Sequence, residues 1–386
     1  MTKKQIYTTI HDLIAAINPL DQLEEQHIQF ALQWIESGVE IFRLEKPAIP
    51  YTHLVCYFVL FDPETNQILL TAHRKSGLWL PAGGHVELDE HPMTTVTREA
   101  KEELGIEAEF LFEDPFFLTI AKTVGASQHT DVSLWYLLKG SSSIPYNYDR
   151  EEFDQIHWFR PQEIPYSLSD PHMKRLIDKL NKSLTLNSYE STAVEYATNT
   201  KALHPYLQAQ KFMKMLFNKA MVIDIGCGPG RDAKVFQKNG FQVTGIDFSP
   251  KMIAMAKQKV PQAEFHVMDM EKLDFSPETF DGAWASASFL HIPKMNTLQV
   301  FKKIHNFLKP GGIFYLSVKR GVGETLVQDK RYENRQKFWS FFETQELDKL
   351  LKEAQFDLLD MECTNPTSAY ETHPMIRIFC RKGEKE

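Results

Sequence analysis

Three glutamates close together in the first half of the sequence are the feature that most constrains the fold. Glu99, Glu102 and Glu103 stand at positions i, i+3 and i+4, so on a helix their side chains share one face. Carboxylates at that spacing repel one another unless a cation lies between them. Hard oxygen ligands favour Mg²⁺ or Mn²⁺, and no cysteine or closely spaced histidine pair competes for the ion. The spacing predicts a divalent-metal site, although a short acidic run is also typical of a solvated helix face.

The residues around these glutamates resemble the Nudix box, a motif written G-x5-E-x7-R-E-U-x-E-E-x-G-U in which U is aliphatic. The matching positions are Gly84, Glu90, Arg98, Glu99, Ala100, Glu102, Glu103, Gly105 and Ile106. The resemblance implies that the three glutamates hold the metal and act in catalysis. It also implies that the carbonyl of Gly83 or Gly84 adds a ligand and that Glu90 pairs with Arg98. Ala100 departs from the family, which prefers a bulkier aliphatic residue there.

The segments on either side of the box predict β-strands. Apolar residues, alternating or continuous, fill 53–61, 67–74 and 127–138, and a turn signal separates the first two. The stretch 149–159 is similar to the closing loop and strand of Nudix domains. Together these segments predict a Nudix α/β/α sandwich with a mixed sheet, preceded by a helical extension over residues 1–50.

Three further polar residues are candidates for the same site. Glu152 resembles the acid in the closing loop of Nudix domains that helps to bind metal or acts as a base, and a solvated loop carboxylate is the alternative. His129 and Asp131 fall on one face of a predicted strand, which we expect to face the substrate cleft. A histidine on a strand is also commonly a hydrogen-bonded structural residue, so His129 is a secondary candidate.

The resemblance implies Mg²⁺- or Mn²⁺-dependent hydrolysis of a nucleotide or of a nucleoside diphosphate-linked substrate. The bound ions would lower the pKa of a water molecule and stabilise the transition state, while one glutamate accepts the proton. The products would be a nucleoside monophosphate with a phosphorylated remainder, or with inorganic pyrophosphate if the substrate is a triphosphate. The box alone does not distinguish these substrates.

A second motif set begins near residue 221. Residues 221–225 form a short apolar segment typical of a buried parallel strand, and Gly226, Gly228 and Gly230 follow directly before an amphipathic stretch. A strand, a glycine-rich turn and a helix let a ligand approach bare backbone at the helix N-terminus. Asp224 precedes this turn, whose spacing differs from the G-x-G-x-x-G motif of dinucleotide-binding folds.

Acidic residues end the strands predicted after this turn. Asp247 ends the second strand, 17 residues beyond Gly230, where a carboxylate can accept both hydroxyls of a ribose. Asp269 and Met270 end the third strand. This series resembles class I S-adenosylmethionine-dependent methyltransferases over about 200 residues, which implies a Rossmann-like fold with a mostly parallel seven-stranded sheet.

The resemblance assigns roles to the cofactor-binding candidates. The methionine moiety and the sugar would be cradled by Asp224, Gly226, Gly228 and Gly230. Asp247 would bind the ribose, and Asp269 with Met270 would contact the adenine. Two alternatives remain open from the residues alone, because the glycines could only relieve steric crowding and Met270 could belong to the core.

The transfer step itself gives fewer candidates, because methyl transfer needs an aligned nucleophile and a dry pocket more than a covalent catalyst. His291 is the candidate for a general base or a group that positions the acceptor, and a structural hydrogen bond is the alternative. Tyr189 and Tyr196 resemble the N-terminal lid of small-molecule methyltransferases. Four basic residues could bind an anionic acceptor, and the alternative is that they are solvated loop charges. They are Lys319, Arg320, Lys330 and Arg331.

The length and charge of the chain fit two domains. Its 386 residues, 43% hydrophobic and 24% charged, suffice for two separate cores. We predict a Nudix domain over 1–182 and a methyltransferase domain over 183–386, joined by a polar linker near 180–188. The net charge is −12 over residues 1–180 and +4 over 181–386. An acidic first half disfavours nucleic acid as a partner and favours small-molecule substrates.

Cysteine usage and hydropathy predict the compartment. The four cysteines are far apart with no CxxC pair, which favours free thiols in a reducing cytoplasm. Apolar runs stay below the roughly 18 residues needed to span a bilayer, and the first residues lack an apolar signal core. We therefore expect a cytoplasmic enzyme without a membrane anchor.

The sequence as a whole predicts a bifunctional enzyme, a Nudix hydrolase fused to a methyltransferase that acts on a small molecule. The alternative keeps the methyltransferase and makes the Nudix domain a nucleotide-sensing module without hydrolytic activity. The sequence leaves open the Nudix substrate, the methyl acceptor and the methylated atom. It also leaves open the oligomeric state and whether both reactions belong to one pathway.

Overall fold

The computed structural model describes residues 2–46, 49–123, 128–203, 205–366 and 370–383. The chain divides into two compact units, Met1–Lys179 and Leu180–Glu386. The predicted domain ranges, 1–182 and 183–386, place the boundary slightly later and remain predictions. Within the described ranges, no helix has both the length and the apolar character needed to cross a lipid bilayer.

The first unit is built on a mixed sheet. Its helices are α1 (Lys3–Ala15), α2 (Gln22–Glu36) and α3 (Pro92–Leu104). Its strands are β1 (Thr52–Asp62), β2 (Gln67–His73), β3 (Leu78–Leu80), β4 (Ala82–His85), β5 (Phe117–Lys122), β6 (Thr130–Lys139) and β7 (Phe153–Phe159). The order is β3-β2-β1-β6-β5, with β4 on β1 and β7 on β2. Only the β1–β6 pair is parallel among the described pairings, so the predicted mixed sheet is confirmed.

The helical extension before the sheet belongs to the core of this unit. Ile6, Ile10 and Ile14 recur every four residues on α1, and all three are fully buried. They pack in one cluster with residues of α2 and of the sheet. The extension therefore stabilises the sheet through its apolar face.

Helix α3 carries the three glutamates, and its ends are well defined. Pro92 begins the helix, and Gly105 ends it in the left-handed conformation that glycine adopts without strain. Val96, Ala100 and Leu104 lie on one face and are fully buried. Ala100, which departs from the family pattern, is thus part of a packed core.

The second unit is a Rossmann-like layer of helices around a sheet. Its helices are α4 (Met173–Thr200, which begins in the first unit), α5 (Tyr206–Lys214), α6 (Arg231–Lys238), α7 (Pro250–Lys259), α8 (Lys294–Phe307) and α9 (Thr344–Glu353). Its strands are β8 (Met221–Ile225), β9 (Gln242–Asp247), β10 (Glu264–Val267), β11 (Phe280–Ser286), β12 (Leu308–Lys319), β13 (Glu324–Asp329), β14 (Arg335–Ser340), β15 (Phe356–Thr364) and β16 (Met375–Lys382).

Seven of these strands, counted over the described residues, form one sheet in the order β10-β9-β8-β11-β12-β16-β15. The first five are parallel, and β16 is antiparallel to both of its neighbours, so that β15 runs in the same direction as the first five. The predicted mostly parallel sheet is confirmed. Strands β13 and β14 form a separate hairpin. Because the carboxyl ends of parallel strands meet at one edge, residues that follow β8, β9 and β11 come together there.

The segment expected to be a polar linker, residues 180–188, is helical instead. It lies within α4, where Thr185 and Ser188 are each only 1% exposed. The Thr185 hydroxyl donates a hydrogen bond to the Asn181 carbonyl, at 2.7 Å, and accepts one from the Phe338 N–H, at 2.9 Å. A hydroxyl group that makes hydrogen bonds of this kind is compatible with a buried helix.

Candidate functional sites

Glu103 is the most deeply buried of the three glutamates on α3. Its side chain is almost fully buried, and its Oε2 accepts a hydrogen bond from the Gly83 N–H at 2.8 Å. Burial, together with the nearby Glu99 and Glu152, raises the pKa of Glu103 to about 9. A backbone N–H is a neutral donor and does not balance a carboxylate, so this position favours a bound cation.

The guanidinium of Arg98 organises the other acids. Its Nη1 donates to Glu99 at 2.7 Å and to Glu102 at 3.3 Å, and its Nε donates to Glu90 at 3.1 Å. The expected pairing of Glu90 with Arg98 is confirmed. Glu102 is 61% exposed in its side chain, so it lies at the outer edge of the acidic face.

The glycine loop before α3 is in contact with the acids. A Cβ atom on Gly84 would lie 2.0 Å from the Glu99 Oε1, so any side chain at this position would displace the carboxylate. Gly83 contributes its N–H to Glu103. Its proposed role as a carbonyl ligand stays a prediction.

Glu152 lies beside this acidic group. Its Oε1 is 3.8 Å from the Nε2 of His73, and this neighbouring imidazole lowers the pKa of Glu152. Glu152 acts electrostatically on both Glu99 and Glu103. The structure thus gathers Glu99, Glu103 and Glu152, with Glu102 at the margin.

A second polar group in the first unit was only half visible in the sequence. Among the described residues, the group of histidines and acids whose ligand atoms all lie within 4.8 Å of one another is His53, His85, His129 and Asp131. His129 and Asp131 were predicted to share a face, and they do, because their side chains approach to 3.2 Å. His53 and His85 were missed, since they are far away from His129 and Asp131 in sequence.

The second unit has a cavity at the carboxyl edge of its parallel strands. It is lined by Gly226, Gly228, Asp247, Asp269, Met270 and His291, all predicted site residues, together with Tyr189 and Tyr196. The Asp247 carboxylate accepts hydrogen bonds from the N–H groups of Gly228 and Ser249, both at 2.9 Å. Burial raises the pKa of Asp247 to about 6 against these two donors.

Two predicted cradle residues, Asp224 and Gly230, are not among the residues that line this cavity. Asp224 is buried behind it and accepts a hydrogen bond from the backbone of Ala233 in α6. Gly230 begins α6 with a φ of 74°, and a Cβ there would lie 3.1 Å from Ala256 of α7. Gly230 thus lets the turn pass close to α7, and contact of either residue with a cofactor stays a prediction.

Asp269 has partners already. Its carboxylate forms an ion pair with Lys182 and accepts a hydrogen bond from the Glu271 N–H at 3.0 Å. Met270 lies beside it on the cavity wall, partly buried against the core. The pair therefore presents a thioether and a lysine-bound carboxylate to whatever occupies this end of the cavity.

His291 and Tyr189 form a hydrogen-bonded pair on the cavity wall. The His291 Nδ1 lies 2.9 Å from the Phe338 carbonyl, which can only accept, so Nδ1 carries the proton. The Nε2 then accepts from the Tyr189 hydroxyl at 2.7 Å. Burial lowers the pKa of His291 to about 3, so the imidazole is neutral and its lone pair is engaged by Tyr189.

A second cavity shares Tyr189, Tyr196 and His291 with the first. Its wall combines cations and aromatic rings: Lys319, Arg331, Lys337, Trp339 and Tyr370. The Nζ of Lys319 lies 4.2 Å from the centre of the Trp339 ring, and that of Lys337 lies 4.1 Å from the Tyr332 ring. Burial lowers the pKa of both lysines to about 8.

Of the basic set singled out in the sequence, Lys319 and Arg331 reach this second cavity. Arg320 and Lys330 are exposed and are not among its lining residues. Lys337, Trp339 and Tyr370 were missed by sequence reasoning. A signal was present, because Lys337 and Trp339 alternate on a β-strand and so share one face.

Comparison with known proteins separates the same two regions. The sequence pattern of the NUDIX domain matches residues 52–180, and that of a methyltransferase domain matches residues 222–312. Methyltransferase phqN of Penicillium fellutanum is 31% identical over 120 residues, which is 29% of this chain and 34% of that protein. The malonyl-[acyl-carrier protein] O-methyltransferase of Enterobacter lignolyticus is 27% identical over 157 residues, covering 40% and 56%.

A demethylmenaquinone methyltransferase of Chlorobaculum parvum is 35% identical over 96 residues, covering 25% of this chain and 39% of that protein. The chain thus spans about a third to just over a half of the length of these curated relatives. A solved 1,6-didemethyltoxoflavin-N1-methyltransferase of Burkholderia thailandensis, with bound S-adenosylhomocysteine, is 22% identical at a TM-score of 0.45, over 54% of this chain and 91% of that one. The chain therefore carries one region that matches the NUDIX domain and a second that matches a methyltransferase domain.

Proposed function

We propose that the chain is a bifunctional enzyme whose NUDIX domain hydrolyses a nucleotide or nucleoside diphosphate-linked substrate and whose second domain methylates a small molecule. For hydrolysis, the supporting observation is the buried Glu103, which lies among other carboxylates with only a neutral backbone donor beside it. The donor set is rich in oxygen, which fits Mg²⁺ or Mn²⁺. Bound there, the ion would polarise the diphosphate and lower the pKa of a water molecule.

The residues of the chain have separate parts in this hydrolysis. Glu99, Glu102 and Glu103 would hold the ion, with the Gly83 carbonyl as a further ligand. Arg98 fixes the directions of Glu90 and Glu99 through its hydrogen bonds. Glu152 is the proposed base, because it lies beside Glu99 and Glu103 and is ionised at neutral pH.

For methyl transfer, the supporting observation is the cavity beside Asp247. Gly226 and Gly228 leave backbone exposed on its wall, and the Asp247 carboxylate is held in place by two backbone N–H groups. S-adenosylmethionine fits this donor and acceptor pattern, with its ribose hydroxyls on Asp247 and its adenine near Asp269 and Met270. The cofactor would supply the activated methyl group, and the cavity would exclude water from it.

The second cavity supports an anionic, aromatic acceptor. Its cations can bind a carboxylate, a phenolate or a phosphate, and its rings can stack on a planar molecule. The curated relatives carry names that refer to unlike acceptors, so these names do not select one. The Tyr189–His291 pair lies on the wall shared by both cavities and would position the acceptor atom, as predicted for His291.

The experiment for the first domain offers purified full chain and Mg²⁺ a panel of nucleoside diphosphate conjugates and nucleoside triphosphates. Release of nucleoside monophosphate in the presence of Mg²⁺, and its loss in the Glu103→Gln variant, would support hydrolysis. The alternative function is nucleotide sensing. Nucleotide binding without any phosphate-containing product across the panel would favour it.

The experiment for the second domain is metabolite profiling with S-adenosylmethionine labelled in its methyl group. Extracts are incubated with the full chain or with its Asp247→Asn variant, and labelled products are compared. A product that carries the label only with the wild-type chain identifies the acceptor. Equal labelling by both proteins would contradict the proposed cofactor site.

A further inference from the structure

The cluster formed by His53, His85, His129 and Asp131 is not needed for the proposed hydrolysis, and its geometry is that of a ligand set. His53 lies on β1 directly beside Asp131 of β6, because the two strands are parallel and these residues are register partners. His129 precedes Asp131 by two positions, and His85 ends β4, which pairs with β1. Strands β1, β4 and β6, with the residue directly before β6, thus bring four side chains to one point, where one ligand atom from each lies within 4.8 Å of the others.

The hydrogen bonds around His53 show which nitrogen is available. Its Nδ1 lies 2.9 Å from the Pro50 carbonyl, which can only accept, so Nδ1 carries the proton. The Nε2 therefore carries a lone pair, and it points into the cluster 3.6 Å from the Asp131 Oδ1. A backbone carbonyl that fixes the tautomer of a histidine in this way is typical of the outer shell around a metal ligand.

Two atoms of the cluster are buried without a hydrogen bond. Among the described residues, neither the His53 Nε2 nor the Asp131 Oδ1 makes a hydrogen bond, although their side chains are 0% and 8% exposed, and the Asp131 Oδ1 has only its ion-pair contact with His129. Two acceptors cannot satisfy one another, and leaving buried polar atoms unpaired is unfavourable. A cation that binds both would remove this imbalance.

The remaining contacts of the cluster are compatible with such an ion. The Nε2 of His129 lies 3.2 Å from the Asp131 Oδ1, and the rings of His53 and His129 stack at 4.8 Å. Arg43 donates to the His85 Nε2 at 3.2 Å, because a guanidinium has no acceptor atom. An ion bound to that nitrogen would take the place of this hydrogen bond.

We propose that His53, His85, His129 and Asp131 bind a divalent transition-metal ion, for which Zn²⁺ is the probe. Imidazole nitrogens favour Zn²⁺ and its neighbours in the first transition row over Mg²⁺, which prefers oxygen ligands. The proposed ligands include none of the glutamates of α3. The NUDIX domain would then hold two unlike ions, one bound mainly by nitrogen and one by oxygen.

The test is equilibrium dialysis of the chelator-treated full chain against Zn²⁺ in millimolar Mg²⁺, with bound zinc measured by elemental analysis. We expect about one zinc ion per chain and at least about tenfold weaker binding in the His129→Gln variant. The matched control is His157→Gln, because His157 is an exposed histidine on β7 of the same unit. Both His157→Gln and Glu103→Gln should bind zinc as the wild type does.

A second measurement guards against misfolded variants. Thermal unfolding of the wild-type chain is followed with and without Zn²⁺, and a transition that rises with the zinc concentration indicates binding to the folded state. No zinc on the wild type, full displacement by Mg²⁺, or equal affinity in His129→Gln and wild type would overturn the proposal. Loss of zinc in Glu103→Gln would show instead that the ion occupies the hydrolytic site.

Discussion

Glu103 in the first unit and Asp247 in the second are both buried acids with a raised pKa, but their surroundings differ. Glu103 has Glu99 and Glu152 near it and one neutral hydrogen-bond donor. Asp247 has two backbone donors, one from Gly228 and one from Ser249. Both acids thus have neutral donors, but Glu103 also has two carboxylates near it, whereas Asp247 has a second donor.

This difference indicates which kind of ligand each site can bind. A carboxylate surrounded by other carboxylates is stabilised by a cation, which no hydroxyl group can replace. A carboxylate fixed by backbone N–H groups can use its remaining lone pairs to accept hydroxyl groups of a neutral sugar.

Glu103→Gln should reduce metal-dependent hydrolysis by about 10²-fold or more, because the amide has no charge to hold the cation. The amide oxygen can still accept the Gly83 hydrogen bond, so the fold should persist. Product formation is measured at saturating Mg²⁺. The control is Glu107→Gln, an exposed acid just beyond α3. Equal losses of hydrolysis in Glu103→Gln and Glu107→Gln would show that the effect does not depend on the buried carboxylate.

Asp247→Asn should weaken S-adenosylmethionine binding by about 10- to 100-fold, which corresponds to the loss of charge-assisted hydrogen bonds of about 1.5–3 kcal/mol. Isothermal titration calorimetry gives the dissociation constant. Asp274→Asn is the control, since Asp274 is exposed. An unchanged dissociation constant for Asp247→Asn would show that the carboxylate does not contact the cofactor.

The affinity for S-adenosylmethionine should fall by about tenfold between pH 7 and pH 5. The folded chain raises the pKa of Asp247 from 3.8 to about 6, so the free protein loses stability as the pH rises through that window and the acid ionises. S-adenosylmethionine binds the ionised form of Asp247, so its affinity rises as the pH rises and this acid ionises. Dissociation constants from pH 5 to 8 measure this. The Asp247→Asn variant should be flat, and a slope in that variant would assign the effect to another group.

Tyr189→Phe should lower kcat/KM for the methyl acceptor by about fivefold, which matches one neutral hydrogen bond of about 1 kcal/mol. The dissociation constant of S-adenosylmethionine should stay the same, because the hydroxyl is bound to His291. The exposed Tyr206→Phe serves as the control. An equal loss of cofactor affinity would make Tyr189 part of the cofactor site instead.

Local patterns in the sequence predicted the elements and the acids of both sites. The alternation of apolar residues predicted β1, β2 and β6, and the spacing of the glutamates predicted their common helix. The polar run at 180–188 misled, because the Thr185 hydroxyl bonds to the Asn181 carbonyl of the same helix and to the Phe338 N–H and so permits burial. Polarity alone does not separate a linker from a helix that satisfies its own side chains.

Contacts between distant segments were beyond reach of the sequence. His53 and Asp131 become neighbours only because β1 and β6 pair in parallel, and a shift of one residue would turn one of them to the other face. The second cavity of the methyltransferase domain likewise draws Lys337 and Tyr370 from a hairpin and a later loop. The spacing of residues along the chain does not indicate which residues of two distant segments become neighbours.

Arg98 has a consequence for how the NUDIX domain behaves when its metal is withdrawn. One guanidinium donates hydrogen bonds to Glu90, Glu99 and Glu102. Its positive charge therefore offsets part of the repulsion between these carboxylates when the ion is absent. The loop and helix should therefore keep their arrangement in a chelator. Depletion and resupply of Mg²⁺ should be a reversible cycle, and the domain should regain full turnover without refolding.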